Sequence, residues 1–143
     1  MELPFTIEPD ATARLCTLDE WGQIRKEQIV CVRVLDKRRT LLAETIQPLD
    51  IERRLPYPQQ VGLSMIASAD TDTLLLRCEH YARCVSLHGD GFDTLFDDNF
   101  FDLLPGETKC IRVLRSPSSG VIYAETAYDQ TIVSCQWKKE KEK

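Results

Sequence analysis

Phe96-Asp97-Asp98-Asn99-Phe100-Phe101-Asp102-Leu103-Leu104-Pro105-Gly106-Glu107 runs directly into Thr108-Lys109-Cys110-Ile111-Arg112-Val113-Leu114. The second stretch is a strand by pattern. Ile111 and Val113 stand opposite Arg112, and period two with charge on one side describes a strand with one wet face. Leu104–Glu107 fits a type II turn, with Pro105 supplying φ near −65° and Gly106 the positive φ that follows it. Upstream the composition is unusual. Asp90, Asp93, Asp97, Asp98, Asp102 and Glu107 fall in a stretch without Lys or Arg that also holds Phe92, Phe96, Phe100 and Phe101. Acids at this density can bind calcium, which takes six to eight oxygen ligands, but the EF-hand spacing is absent and Gly91 precedes most of the acids. The favoured reading is a packed loop. Its aromatic rings enter the core, while its Asp and Asn oxygens accept N–H groups that no strand ladder satisfies.

Outward from this stretch, short runs rich in branched and aromatic residues recur: Arg14–Leu18, Gln28–Asp36, Leu41–Thr45, Gly62–Ala67, Thr73–Cys78, Ala82–Leu87, Lys109–Leu114, Val121–Tyr123 and Thr131–Trp137. Several alternate cleanly. Val30, Val32 and Val34 oppose Arg33; Leu74, Leu76 and Cys78 oppose Arg77; Val133, Cys135 and Trp137 oppose Ser134 and Gln136. Short strands without sustained helical periodicity predict an all-β, antiparallel sandwich of about seven to nine strands. Turn chemistry separates them. Leu18–Gln23 reads as a hairpin turn around Gly22, and Leu55-Pro56-Tyr57-Pro58 is barred from a central strand by two missing N–H groups. Asp70–Asp72, His88–Gly91 and Arg115–Gly120 are further breaks. Pro48–Leu55 could form a helix of at most two turns. No domain boundary is visible. The expected organisation is an N-terminal extension over 1–12, one sandwich over 13–137, and a charged tail over 138–143 that frays.

Size and charge exclude several classes. The chain has 143 residues, 43% apolar, and a net charge of −5. That supports one core and is too short for a (β/α)₈ barrel of about 250 residues. The negative charge argues against a nucleic-acid partner. No run approaches the roughly 20 apolar residues of a membrane helix, and the N-terminus lacks the pattern of a signal peptide. The six cysteines have no zinc-site spacing and mostly lie in apolar runs, where a reduced thiol behaves as a small hydrophobe. No metal or cofactor is implied.

Catalytic patterns are weak. Glu79-His80 and His88-Gly89-Asp90 are two local pairs rather than a site, and solvated imidazoles are the expected outcome. None of the nucleotide, phosphate, metalloprotease or nucleophile-elbow motifs occurs. Lys37-Arg38-Arg39 and Arg53-Arg54 are too short for a phosphate track and read as a wet turn and a helix face.

With those residues in view, the stretch Phe96–Glu107 resembles the last immunoglobulin-like domain of β-mannosidases of glycoside hydrolase family 2 and of the related exo-β-glucosaminidases. There the segment typically reads F-[ST]-D-N-[YF]-F-D-L-L-P-G-E. The match rests on Phe96, Asp98, Asn99, Phe101, Asp102, Leu104, Pro105, Gly106 and Glu107, while Asp97 stands where Ser or Thr is usual. Ala82–Leu87 and Thr108–Val113 resemble the flanking strands, and Leu18-Asp19-Glu20-Trp21-Gly22 a hairpin of such accessory sandwiches. The family's usual opening strand with an Asn-Asp pair has no counterpart in Met1–Asp10. The resemblance implies an immunoglobulin-like sandwich that is non-catalytic alone. The nucleophile and acid/base glutamates of such enzymes lie in a separate barrel, so no catalytic residue carries over, and the implied partners are the other domains of a parent glycosidase. Two other functions fit the residues. One is a carbohydrate-binding module using Trp21, Tyr57, Tyr81 or Trp137 as an aromatic platform for an oligosaccharide; the other is a free-standing interaction domain.

Overall fold

The computed structural model describes residues 2–23, 25–51, 54–68, 72–90, 94–117, 119–129 and 131–138, without the Trp21 side chain. They form two compact units that divide between Pro56 and Tyr57. The strands expected in one sandwich over 13–137 are thus shared between two bodies.

The first unit contains a 3₁₀ turn over Leu18–Trp21 and an antiparallel hairpin of β1 (Ile29–Leu35) and β2 (Leu41–Pro48). Arg33 faces Glu44 across the ladder, and their side chains form an ion pair. Asp36 shapes the turn, its Oδ1 accepting the N–H groups of Arg38 (2.8 Å) and Thr40 (2.7 Å). Pro48 is the only buried residue among those described in this unit. Three expectations are corrected here. Arg14–Leu18 is not a strand: its residues are largely apolar, but a strand needs a partner, and this sheet holds β1 and β2 alone. Pro48 does not open a helix but closes β2, opposite Ile29. Arg53 lies outside the described residues. The hairpin expected at 18–23 is not one: no strand precedes it, and the segment is a 3₁₀ turn that Gly22 ends at φ 99°.

The second unit is the sandwich. It contains β3 (Ser64–Ser68), β4 (Thr73–Arg77), β5 (Ala82–Gly89), β6 (Leu95–Phe96), β7 (Phe101–Leu103), β8 (Thr108–Arg115), β9 (Ser119–Glu125) and β10 (Val133–Lys138). One sheet has the order β3-β4-β8-β6 and the other β10-β9-β5-β7. The all-β antiparallel expectation holds. Alternation is the cause: Leu74 and Leu76 of β4, Ile111 and Val113 of β8, Val85 and Leu87 of β5, and Ile122 and Ala124 of β9 all turn into one core. Trp137 closes that core from β10, its indole N–H donating to Ser116 Oγ at 2.8 Å. At roughly 1.5–3 kcal/mol for each large apolar side chain buried, this core is the main source of stability.

β6 and β7 are too short to show a period. β5 continues through Gly89, past the break expected at His88. A Cβ on Gly89 would lie 2.1 Å from Thr94 Oγ1, so the strand reaches its end only without a side chain there. The turn after β7 is as expected. Glu107 N donates to Leu104 O at 3.2 Å, and Gly106 has φ 76°. A Cβ at Gly106 meets nothing within 4 Å, so substitution costs backbone strain alone. Gly106→Val is expected to destabilise the sandwich by about 1–3 kcal/mol in urea denaturation; an unshifted midpoint would contradict the strain account.

Candidate functional site

The stretch 97–107 crosses between the sheets twice. It leaves β6 in one sheet, enters β7 in the other, and returns through the type II turn to β8. Its polar side chains bind whichever sheet they pass. Asp97 grips β8: Oδ1 accepts the Arg112 backbone N–H at 2.8 Å and Oδ2 the Arg112 Nε–H at 2.9 Å, while Asp97 N donates to Arg112 O at 3.0 Å. Asp98 pairs with Lys109 Nζ at 2.7 Å, and that ammonium also lies 4.4 Å from the Phe101 ring centroid.

Asn99 stands in for a strand. The pairing of Val85 with Phe101, continued two residues, would place Asn99 opposite Leu87. At φ 59° Phe100 turns the main chain away, and the Asn99 side chain makes the ladder bonds instead. Its Oδ1 accepts Leu87 N–H at 2.8 Å and its Nδ2 donates to Leu87 O at 2.9 Å. The same turn corrects the expectation that the aromatics all enter the core. Phe101 is buried and Phe96 packs against the core, but Phe100 is 69% exposed. Phe92 lies outside the described residues.

Asp102 faces a bulge in β5, where the register with β7 shifts between Ala82 and Val85 and Cys84 takes φ 52°. Its Oδ1 accepts the Cys84 N–H at 2.9 Å. Its Oδ2 accepts both the Tyr81 hydroxyl and Arg83 Nη1–H at 2.6 Å. Burial first, and then the neighbouring carboxylate, push the Tyr81 phenol well above its usual value. Leu103 and Leu104 carbonyls receive the buried Cys78 thiol at 3.4 Å, and Gly106 N donates to Cys78 O at 3.2 Å. Sequence reasoning found the acceptors of this stretch but not Tyr81, Arg83 or Leu87 as their donors.

Asp97 and Asp129 carry a pH consequence. Partial burial pushes both carboxyls up, but the N–H donors outweigh it: Arg112 for Asp97, Val61 and Thr131 for Asp129. Both therefore lie below the usual carboxylate range. A lowered folded pKa contributes stability that is complete above the unfolded value and lost as pH falls through the folded one. Acid titration should weaken the sandwich progressively below about pH 4, and Asp97→Asn should flatten part of that slope.

Other candidates scatter. His80 and His88 are exposed, and His88 stacks on Tyr123 at 5.3 Å between centroids. A cleft of about 440 Å³ lies beside His88, bordered by Thr94, Leu95 and Asn99. In the first unit a groove of about 560 Å³ runs along Cys31–Asp36. Arg39 pairs with Glu2 at 2.6 Å. All six cysteines are free; Cys78 alone is buried, and Cys110, expected in an apolar run, faces outward on β8. No group of three or more His, Cys, Asp or Glu among the described residues is arranged to hold a metal ion. No helix among them is long and apolar enough to cross a membrane.

Of the expected aromatic platforms, Trp137 and Tyr81 are core residues at 3% and 8% exposure. The Trp21 side chain lies outside the described residues. Tyr57 is half-buried and stacks on Tyr128, with centroids 4.1 Å apart and planes 9° from parallel. Tyr57 also stacks with Tyr81, with centroids 6.2 Å apart and planes at 22°. Tyr128 was not singled out from sequence: a lone tyrosine in a polar loop gives no periodic signal.

Residues 56–125 match the Ig_mannosidase family model, an Ig-fold domain. No curated protein matches the chain.

Proposed function

We propose, from the premise that residues 56–125 are an Ig-fold domain of the mannosidase family, that this chain serves as a non-catalytic accessory sandwich of a β-mannosidase-type glycoside hydrolase of family 2, packing against its other domains and stabilising them. The observation that carries the reading is the double crossing at 97–107, the same stretch that bears the family's sequence signature. Its carboxylates hold scaffold donors: Asp97 holds Arg112, Asp98 holds Lys109, and Asp102 holds Tyr81, Arg83 and Cys84. Glycoside hydrolysis needs two carboxyls placed about 5–10 Å apart across a sugar-binding cleft, one of them poised to give up or accept a proton. Carboxylates committed to internal donors suit a girder better than an acid–base pair.

The purified chain should release no chromophore from 4-nitrophenyl β-D-mannopyranoside; turnover above the buffer rate would overturn the accessory reading. An antibody to the sandwich should detect in native extracts a polypeptide much larger than 16.4 kDa. A band at 16.4 kDa alone would favour a free-standing interaction domain.

A further inference from the structure

The stretch 97–107 holds a strained backbone around a side chain that its own sandwich does not bury. Phe100 takes φ 59°, a conformation that bulky residues rarely adopt, and it is 69% exposed. Glycine would make the same turn without that strain. The turn is also fixed. Asn99 Oδ1 accepts Phe100 N–H at 2.9 Å and Leu87 N–H at 2.8 Å, and its Nδ2 donates to Leu87 O at 2.9 Å. An aromatic ring carried on a fixed turn loses little conformational freedom when a partner covers it. Beside this turn lies a socket. β7 pairs with β5 at Ala82 and Val85, and beyond Val85 no further strand among the described residues lies on that edge. There the cleft of about 440 Å³ opens, with Leu87, Leu95 and Phe96 as its apolar lining and Asn99 at its border. A cavity of about 150 Å³ is enough for a benzene ring.

We infer that this edge binds a second copy of the chain, with Phe100 of each copy entering the cleft of the other. A two-fold interface needs one patch that is complementary to itself. Here the knob, Phe100, directly follows Asn99, which borders the socket. The charges permit the approach, because Asp97, Asp98 and Asp102 are already paired with Arg112, Lys109 and Arg83. The lining selects the occupant. No Asp, Glu, Lys or Arg is among its described residues, so an ionic ligand finds no countercharge. An added strand finds the Leu87 ladder groups already taken by Asn99. Two phenyl rings and two Leu95 side chains, each 52% exposed before contact, cover less than a stable interface of about 1,200 Å² needs, so the dimer is weak and reversible. The pairing does not depend on which enzyme carries the domain, and its failure would leave the packing role untouched.

The test is sedimentation equilibrium of the full 143-residue chain. An interface of this size predicts a monomer–dimer Kd on the order of 100 µM. Phe100→Gly should weaken association at least tenfold, while the melting temperature of the dilute protein does not fall. Leu95→Glu, which places a charge at the socket, should weaken it as much. A parent chain that stays monomeric up to roughly ten times the expected Kd would overturn the proposal. So would a dimer that Phe100→Gly leaves intact, or a lowered melting temperature in that variant, which would show that the ring serves its own sandwich. Phe100→Trp gives an independent readout: its indole emission must move to shorter wavelength as concentration rises through the Kd, and an unresponsive emission refutes the pairing.

Discussion

Asp102→Ala should destabilise the sandwich by about 2–4 kcal/mol, measured as a shift of the urea midpoint at constant slope. The carboxylate is 9% exposed and serves three donors from one short segment of β5 and its approach. Its removal leaves the Cys84 N–H at the bulge, the Tyr81 hydroxyl and a partly buried guanidinium without their acceptor. Arg83 keeps 30% of its side chain in water, which holds the loss below that of a fully buried pair. Asp102→Asn retains an oxygen for Cys84 N–H and should lose distinctly less. The same arrangement shows in alkali. Tyr81 is held protonated in the fold, so its contribution is intact below the ordinary tyrosine range and declines as pH rises above about 10. In Asp102→Asn the tyrosinate absorbance of Tyr81 should develop at lower pH than in the parent. An alanine variant as stable as the parent would show that the bulge needs no carboxylate.

Trp137→Ala should cost about 3–5 kcal/mol, the range for deleting a large buried aromatic. Trp137 is 3% exposed and belongs to the same cluster as Leu74, Ile111 and Ile122. The position matters because β10 lies beyond residue 125, where the family match ends. If β10 is an integral strand, losing the indole opens a void against both sheets and lowers the melting temperature of the whole sandwich in one cooperative step. Trp137→Phe, which loses the bond to Ser116 but keeps most of the volume, should cost roughly 1–2 kcal/mol. A small effect of the alanine substitution would mean that the sandwich ends at β9 and that β10 is an ornament on its edge.

Strand identity was legible wherever alternation ran for five residues or more. Leu74 with Leu76, and Ile111 with Val113, fall inward as their spacing demands. The type II turn was legible because Pro105 and Gly106 leave few other conformations. What could not be read were features set by distant pairing. Arg14–Leu18 is as apolar as many short strands, yet no partner lies beside it. β7 has three residues, and whether Phe100 or Phe101 turns inward depends on the positive φ of Phe100, which sequence does not announce. The oxygens of Asp97, Asn99 and Asp102 announced that they would accept hydrogen bonds. Their donors, Arg112, Leu87 and Cys84, are 12 to 18 positions away and came into view only with the register. Trp137 shows the same limit from the other side: an aromatic in a strand is core or platform according to the face that tertiary packing assigns it.

The double crossing also works as an alignment gauge. Asp97 clamps one layer at Arg112, and five positions later Asp102 clamps the opposite layer at Cys84. Sliding either layer along its strands by one repeat would strand one of these carboxylates with nothing to hold. Two surfaces that meet only through greasy, forgiving contacts could settle at several offsets; this one short thread admits a single offset.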